Sequence, residues 1–259
     1  MPNDKILCLA DLHMYLNKSL ELKQVKGLVK EIKPAAVLIA GDVYESGVKF
    51  NIYKDLASLD VPVVFCLGNH EFAYSKIDDV KKKYQDLYEP EKYDVHCLDI
   101  IGNHILRINN EDINIVGNVL WYDGSMKDVP EQDDNVIISN WLDSTIIDFD
   151  FHKENENCIN QIKAGFDKDK KNILLTHTCP HNDLNGFKRR GLSKFNMYSG
   201  MSDFIGKMKD EGIEFSWAIC GHTHLPEKKE IHNCKCVNIG NDYYHLYPND
   251  LKHFVIEEV

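Results

Sequence analysis

The chain has 259 residues, of which 41 are Asp or Glu and 30 are Lys or Arg, so its formal net charge is −11. Hydrophobic residues make up 43% of the chain, which is enough to bury a substantial core and excludes an intrinsically disordered protein. The acidic excess argues against a protein whose main task is coating nucleic acid or anionic membranes, because long-range attraction would be lacking. The length fits one large domain or two small ones. Since no repeat or long linker is visible, we predict a single domain over residues 1–259.

The chain carries no sequence signal for export or membrane insertion. The apolar run at 6–10 is too short for a signal peptide or a membrane span, and no longer run follows. We therefore expect a cytoplasmic protein without a membrane partner. In that compartment the cysteines are expected to be reduced, buried thiols, with no disulfide framework. They are Cys8, Cys66, Cys97, Cys158, Cys179, Cys220, Cys234 and Cys236.

Short apolar runs alternate with helical patterns in the first third of the chain. The runs at 6–10, 36–40 and 63–67 are predicted strands. Apolar residues at helical spacing predict helices at 19–32 and 53–59. Continuously apolar strands separated by helices are typical of a buried parallel sheet with right-handed crossovers.

The remainder of the chain is less regular. Residues 122–171 are predicted to form a loop-rich insertion, with a helix near 158–166, that overhangs the functional cleft and selects the substrate. Helices are predicted at 77–87 and 202–210. Further strands are predicted at 95–98, 104–108, 113–116, 172–176, 215–220, 235–239 and 253–256.

Polar residues recur directly after five of the predicted strands. Ligand sites in α/β sheets form at the carboxyl ends of the strands, so these side chains are expected to meet. The segments are Asp11-Leu12-His13, Gly41-Asp42-Val43-Tyr44-Glu45, Gly68-Asn69-His70-Glu71, His177 and Gly221-His222-Thr223-His224.

The side chains in these segments are metal ligands. Carboxylate, imidazole and amide groups together suit Zn²⁺, Mn²⁺, Fe or similar ions. They are too many for one tetrahedral site and fit two ions that share a bridging carboxylate. Taken singly, an Asp or Asn at a strand end is as easily a turn or helix-cap residue, and one His is more often structural. The ordered set favours the metal interpretation.

The five segments resemble the signature of the calcineurin-like metallophosphoesterase family. That signature is D-x-H, G-D-x-x-D/E, G-N-H-D/E, a single His after a strand, and G-H-x-H, in this order. The resemblance implies a two-sheet α/β/β/α sandwich and two divalent metal ions (Mn, Fe, Zn or similar). It also implies hydrolysis of a phosphate mono- or diester by a hydroxide that bridges the two ions.

The resemblance also implies a role for each residue of the signature. His70 would be the catalytic residue, as a general acid or phosphate contact, and Glu71 would orient it. One ion would be held by Asp11, His13, Asp42 and His224, and the other by Asp42, Asn69, His177 and His222, with Asp42 bridging.

The substrate is less well defined by the sequence. The protein phosphatases of the family carry Asp-Arg-Gly where this chain has Glu45-Ser46-Gly47, so a bidentate phosphate contact is missing and that branch is disfavoured. A small phosphate ester, a nucleotide or a nucleic acid remains as the substrate. The alternative function is a catalytically silent binding or scaffold protein of the same fold. Such a protein is expected to have lost His70 or several ligands.

Three further features leave alternatives open. The segment 232–236, His-Asn-Cys-Lys-Cys, could bind a soft metal ion but lacks a second ligand pair, and a hairpin is favoured. Lys188-Arg189-Arg190 could contact an anionic substrate, although a solvated loop is favoured. His181 could reach the cleft or lie at the surface.

Overall fold

The structure is a computed structural model and describes residues 4–45, 51–127, 141–187, 191, 193–241 and 251–257. Within these residues two mixed β-sheets lie face to face and carry helices on their outer surfaces. This arrangement confirms the α/β/β/α sandwich that the resemblance implies.

The first sheet has five strands, of which four are parallel. They are β1 (Ile6–Leu9), β2 (Ala36–Ala40), β3 (Val63–Cys66), β4 (Val95–Cys97) and β11 (Phe254–Ile256). Their order in space is β11-β1-β2-β3-β4, and only β11 runs antiparallel to its neighbour. The three strands expected from the first third of the chain are therefore adjacent and parallel.

The second sheet has six strands, with a parallel centre and antiparallel edges. Its order in space follows from the pairing of each strand with its neighbours: β5-β6-β7-β8-β10-β9. The strands are β5 (Asn103–Ile108), β6 (Glu111–Asn118), β7 (Lys171–Thr176), β8 (Trp217–Cys220), β9 (Glu227–Ile231) and β10 (Cys234–Asn238).

Helices follow or precede most of these strands. Three further segments, 142–145, 182–184 and 193–198, form 3₁₀ turns. The α-helices are α1 (Met14–Ile32), α2 (Ile52–Ala57), α3 (Asn69–Phe72), α4 (Ile77–Leu87), α5 (Leu98–Ile101), α6 (Phe151–Gly165) and α7 (Phe204–Asp210).

Alternating side chains along the strands produce the layers. Leu38 of β2 packs in the cluster between the two sheets with Leu175 of β7. Their neighbours Ile39 and Leu174 belong to the cluster that the helices cover. Successive side chains of a strand point to opposite faces, so strands that are apolar on both faces must be covered on both.

Two helices are longer than their sequence patterns predict. Helix α1 begins at Met14, directly after His13, and not at residue 19. Helix α6 begins at Phe151, where the Asp150 side chain caps it by accepting a hydrogen bond from the Lys153 N–H. A regular helix therefore occupies part of the stretch that was expected to be loop-rich.

The sequence patterns missed strand β9. Its residues Glu227, Lys228, Lys229 and Glu230 are charged, so the strand lacks the apolar run that marks a buried one. Charged residues are a common feature of edge strands because they oppose pairing with another chain. Strand β4 is also shorter than expected, since α5 begins at Leu98.

The cysteines and the helices bear on two earlier expectations. All eight cysteines are buried and free in the structure, and their redox state stays a prediction. Among the helices that the structure describes, none combines the length and the apolarity needed to cross a bilayer.

The outer edges of the two sheets meet through a pair of histidines. The rings of His96 in β4 and His104 in β5 stack with centroids 3.7 Å apart. Burial, aided by the charge of His96 and opposed by Asp94, lowers the pKa of His104 from 6.5 to about 4. Unfolded His104 therefore takes up its proton at a higher pH than folded His104. Its contribution to stability is present above pH 6.5 and is lost as the pH falls through about 4.

We expect His104→Phe to make the protein less sensitive to acid. Phenylalanine keeps a ring in the stack but cannot bind a proton, so the free energy of unfolding should fall less between pH 6.5 and 4 than in the wild type. Urea denaturation of the metal-free protein at several pH values measures this. The matched control is His152→Phe, at an exposed position, which should follow the wild-type pH dependence. Equal slopes for His104→Phe and wild type would contradict the expectation.

Candidate metal centre

The seven side chains predicted to bind metal lie together at one end of the sandwich. They follow the carboxyl ends of β1, β2 and β3 in the first sheet and of β7 and β8 in the second. All seven are buried: Asp11, His13, Asp42 and His177 are fully buried, and Asn69, His222 and His224 are 3 to 6% exposed. Both sheets thus contribute ligands to one edge, as the sequence predicts.

The backbone of five of these residues is left-handed. This conformation is uncommon for residues other than glycine and costs roughly 1–3 kcal/mol each, which is typical of functional sites. Hydrogen bonds between the loops hold it in place: the Asp11 N–H donates to Gly41 O (3.1 Å) and the His13 N–H to Asp42 O (2.8 Å). The φ angles are 52° for Asp11, 44° for His13, 52° for Asp42, 70° for His222 and 54° for His224.

Four of the residues form a first donor group. Asp11, His13, Asp42 and His224 each offer one ligand atom, and these atoms all lie within 4.8 Å of one another. The rings of His13 and His224 are nearly parallel, with centroids 5.3 Å apart. Asp11 is held by the His222 N–H, which donates to its Oδ1 at 2.9 Å.

A second donor group surrounds the Nε2 atom of His177. Asn69 Oδ1 lies 3.0 Å from this nitrogen, His222 Nδ1 3.2 Å and Asp42 Oδ2 3.4 Å. Asp42 therefore belongs to both groups. The two groups contain the same residues as the two ligand sets that the family resemblance implies.

Backbone carbonyls fix which nitrogen of each histidine faces the second group. His177 Nδ1 lies 3.0 Å from Ala40 O, and His222 Nε2 lies 2.9 Å from Tyr198 O. Because a carbonyl can only accept, both of these nitrogens must donate, which leaves His177 Nε2 and His222 Nδ1 as the ligand atoms. Burial and the neighbouring His177 lower the pKa of His222 to about 3, so this imidazole is neutral.

The electrostatics of the cluster favour a cation. Burial opposes the charge of Asp42, but the nearby histidines, His177 foremost, hold the pKa of Asp42 well below its ordinary value. Burial likewise opposes a charge on His177, yet Asp42 and Asp11 raise the pKa of His177 to about 10. Without metal, a proton on His177 thus offsets buried carboxylate charge. Divalent ions fit the same oxygen and nitrogen donors and would displace that proton.

His70 lies beside the cluster, where the sequence predicts it. Its backbone N–H donates to Asp42 Oδ1 at 3.1 Å, and its Nε2 lies 3.8 Å from Asp42 Oδ2. The His70 ring meets the His13 ring edge-on, with centroids 4.8 Å apart. Its side chain is 6% exposed.

Glu71, which was expected to orient His70, is bonded to loop backbone in the structure. Glu71 Oε1 accepts a hydrogen bond from the Tyr44 N–H (2.8 Å), and Oε2 accepts one from the Gly68 N–H (2.7 Å). The carboxylate therefore ties the loop after β2 to the loop after β3. Burial and the charge of Asp42 raise the pKa of Glu71 to about 8.

The sequence patterns missed one residue beside the cluster, Asp143. The Asn69 Nδ2 atom donates to Asp143 Oδ1 at 2.8 Å, across 74 positions of sequence. Burial raises the pKa of Asp143 to about 6, against the opposing hydrogen bond from Asn69. No motif or strand signal precedes Asp143, so nothing in the sequence pointed to it.

Three features with open interpretations have different outcomes. His181 lies outside the cluster, with its Nε2 3.8 Å from Asp203 Oδ1. His232 and Asn233 form the turn between β9 and β10, as the hairpin interpretation predicts. The residues Lys188-Arg189-Arg190 and Ser46-Gly47 lie outside the described part of the chain.

Comparison with known proteins places this geometry in context. The sequence profile of the calcineurin-like phosphoesterases matches residues 4–226. A search of curated proteins found no match.

Solved structures share the fold at low sequence identity. One is the phosphopantetheinyl hydrolase of Mycobacterium tuberculosis, at 14% identity and a TM-score of 0.65, over 93% of this chain and 91% of that one. A dimetal phosphatase from Danio rerio has 10% identity and a TM-score of 0.50, over 100% and 93%. GAP50, the anchor in the inner membrane complex of Plasmodium, has 15% identity and a TM-score of 0.51, over 98% and 81%.

We expect Gly68→Ala to disturb the cluster through Asp42. A Cβ atom at residue 68 would lie 2.1 Å from Asp42 Oδ1 and 2.5 Å from the Asp42 backbone nitrogen, so the backbone must shift. The free energy of unfolding should fall by about 1–3 kcal/mol or more, as measured by urea denaturation.

The matched control for this substitution is Gly27→Ala. Gly27 is exposed on α1 with nothing within 4 Å of the added Cβ, and alanine in a helix should raise stability by about 0.5–1 kcal/mol. A Gly68→Ala variant as stable as wild type would show that the loops do not constrain Asp42.

Proposed function

The chain belongs to the calcineurin-like phosphoesterase family, and on that premise we propose that it hydrolyses a phosphate mono- or diester with two divalent metal ions. The ions would be held by the two donor groups that share Asp42. The observation that carries the proposal is the convergence of those groups. One buried carboxylate, that of Asp42, lies among the ligand atoms of both groups. Two metal ions that act on one phosphate require such a shared ligand.

The ions, when bound, supply Lewis acidity toward the phosphate oxygens and the attacking water. The chain's own residues position the reacting groups and exclude water from the site. The loops place Asp11 and Asp42 in fixed left-handed conformations, and the carbonyls of Ala40 and Tyr198 aim the histidine nitrogens. A site whose groups are already in place needs little reorganisation during the reaction. This pre-organisation is the main source of electrostatic catalysis.

We assign His70 the role of proton donor to the leaving oxygen. His70 lies next to Asp42, and its ring contacts the ring of His13, which is a member of the first donor group. The hydrogen bond from the His70 backbone N–H to Asp42 fixes the backbone position from which the imidazole side chain extends. A histidine at this place can deliver a proton as the ester bond breaks and also offset charge on the phosphate.

The substrate we propose is a small phosphate ester or a nucleotide. The candidate ligands are 0 to 6% exposed, so the reacting phosphate must reach a buried site. A nucleic acid is less favoured, because the net charge of −11 opposes a long phosphate backbone. The names of two structural neighbours, a phosphopantetheinyl hydrolase and a dimetal phosphatase, agree with a phosphate ester.

The competing function is a scaffold that no longer catalyses. One structural neighbour, GAP50, is named as the anchor in the inner membrane complex of Plasmodium. The complete donor set and the presence of His70 oppose it here, because a protein that only binds a partner has no need of them.

We expect the protein, loaded with Mn²⁺, to hydrolyse one or both of a pair of chromogenic substrates, a phosphate monoester and a phosphate diester. We also expect about two ions per chain, measured by elemental analysis. Asp42→Ala should lose both ions and all metal-dependent hydrolysis, since it removes the carboxylate common to both groups. Two bound ions in Asp42→Ala would refute the bridging role. The control Asp94→Ala, at an exposed carboxylate away from the cluster, should keep both ions.

We expect His70→Ala to lower kcat by about 10²-fold or more while both ions stay bound, because the general acid is lost and the ligands remain. Steady-state kinetics with elemental analysis of the same sample measures both. His152→Ala, at an exposed position, should behave as wild type. Unchanged turnover in His70→Ala would exclude the proton-donor role. Wild-type protein with two ions and no hydrolysis of either ester would favour the scaffold.

A further inference from the structure

The second donor group depends on the orientation of one amide. Asn69 can bind a cation only through Oδ1, whereas its NH₂ group repels one. The two ends of an amide have nearly the same shape, so packing alone does not select between them. A hydrogen-bonding neighbour has to make that choice.

Asp143 is that neighbour. Its Oδ1 accepts a hydrogen bond from Asn69 Nδ2 at 2.8 Å, and its Oδ2 accepts one from the Trp141 indole N–H at 3.1 Å. An ionised carboxylate can only accept, so the NH₂ end of Asn69 must face it. The opposite end, Oδ1, then points to His177 Nε2 at 3.0 Å.

The segment that carries Asp143 is fastened to the chain that follows α3. The Ile147 N–H donates to Ser75 O at 2.9 Å, and the Tyr74 N–H donates to Thr145 Oγ1 at 3.2 Å. These bonds join the segment to the stretch of chain that supplies Asn69. The Asp143 carboxylate and the Asn69 amide are therefore held close to each other. Asp143 itself is 1% exposed.

A second buried carboxylate shows what a purely structural role looks like. Asp99, 6% exposed, accepts hydrogen bonds from the backbone N–H groups of Leu67 (2.6 Å) and Val119 (3.0 Å). Asp143 instead bonds two side chains, one of which is in the second donor group. A negative charge behind the amide also increases the electron density on Asn69 Oδ1, as outer partners of metal ligands do.

We propose that Asp143 is a positioning residue for the second metal ion, which orients Asn69 and sets the affinity of that site without touching ion or substrate. This inference rests on the proposed function, since it needs two bound ions. It gives the segment 141–147 a part in the metal centre, through a residue that belongs to none of the five motifs.

The test is calorimetric titration of the metal-free protein with Mn²⁺. Asp143→Asn replaces one of the two acceptor oxygens with an NH₂ group, so Trp141 and Asn69 can no longer both donate to residue 143 and the Asn69 amide loses its fixed orientation. The second ion should bind about 10–100-fold more weakly, while the affinity of the first stays within about twofold of wild type. In electron paramagnetic resonance, the signal of a coupled Mn²⁺ pair should give way to that of isolated ions. The control Asp99→Asn should alter stability and leave both affinities unchanged.

A double-mutant cycle separates orientation from general damage. The two oxygens of a carboxylate are equivalent, so in Asn69→Asp the second site no longer needs residue 69 to be oriented. Adding Asp143→Asn to Asn69→Asp should therefore change second-site affinity by less than about threefold, whereas the loss should be about 10–100-fold when Asn69 is present. Asp143→Ser replaces Asp143→Asn in both backgrounds if the latter does not fold.

The outcomes are distinct. If wild type binds two ions and Asp143→Asn binds both with wild-type affinity, the positioning role is wrong and the proposed function stands. A loss of second-site affinity on Asp143→Asn that is equally large with Asn69 and with Asn69→Asp also overturns the positioning role. If wild type itself binds no second ion, the proposed function fails and the positioning role fails with it.

Discussion

The charge of a buried carboxylate has to be balanced by nearby polar or charged groups. Asp42 is fully buried, at the end of the sandwich where the carboxyl ends of the strands lie. One of its oxygens accepts the backbone N–H of His70, and the other lies 3.4 Å from His177. Its backbone carbonyl accepts the N–H of His13. Asp42 thus connects the loops that carry His13, His70 and His177, and it belongs to both donor groups.

The strained loops persist because they support one another. The Asp11 N–H bonds to Gly41, and Glu71 joins the loop after β2 to the loop after β3. These loops follow parallel strands that are apolar on both faces, so the sandwich holds the loop ends at fixed spacing. The packing of the strands thus offsets the strain of the left-handed residues.

The acidic composition has a more specific meaning in this setting. Asp11 and Asp42 contribute to the net charge of −11, yet both face the histidine cluster and not the solvent. Asp143 adds a third buried carboxylate on the far side of Asn69. Divalent ions in the cluster would offset this charge, so the acidic total does not bar an anionic phosphate from the site.

Local sequence patterns were enough to predict the parallel start of the fold and the clustering of the seven candidate ligands. Buried strands are continuous apolar runs, and residues such as Asp11 and His177 follow them immediately, so local patterns suffice. The edge strand β9 escaped detection because its side chains, such as Lys228, are charged. The hydrogen bonds of Glu71 to loop backbone and of Asp143 to Asn69 are visible only in the folded chain. These contacts join side chains to groups far away in the chain, Glu71 to Tyr44 and Asp143 to Asn69. The packing of the loops selects these partners, and local sequence spacing does not encode that packing.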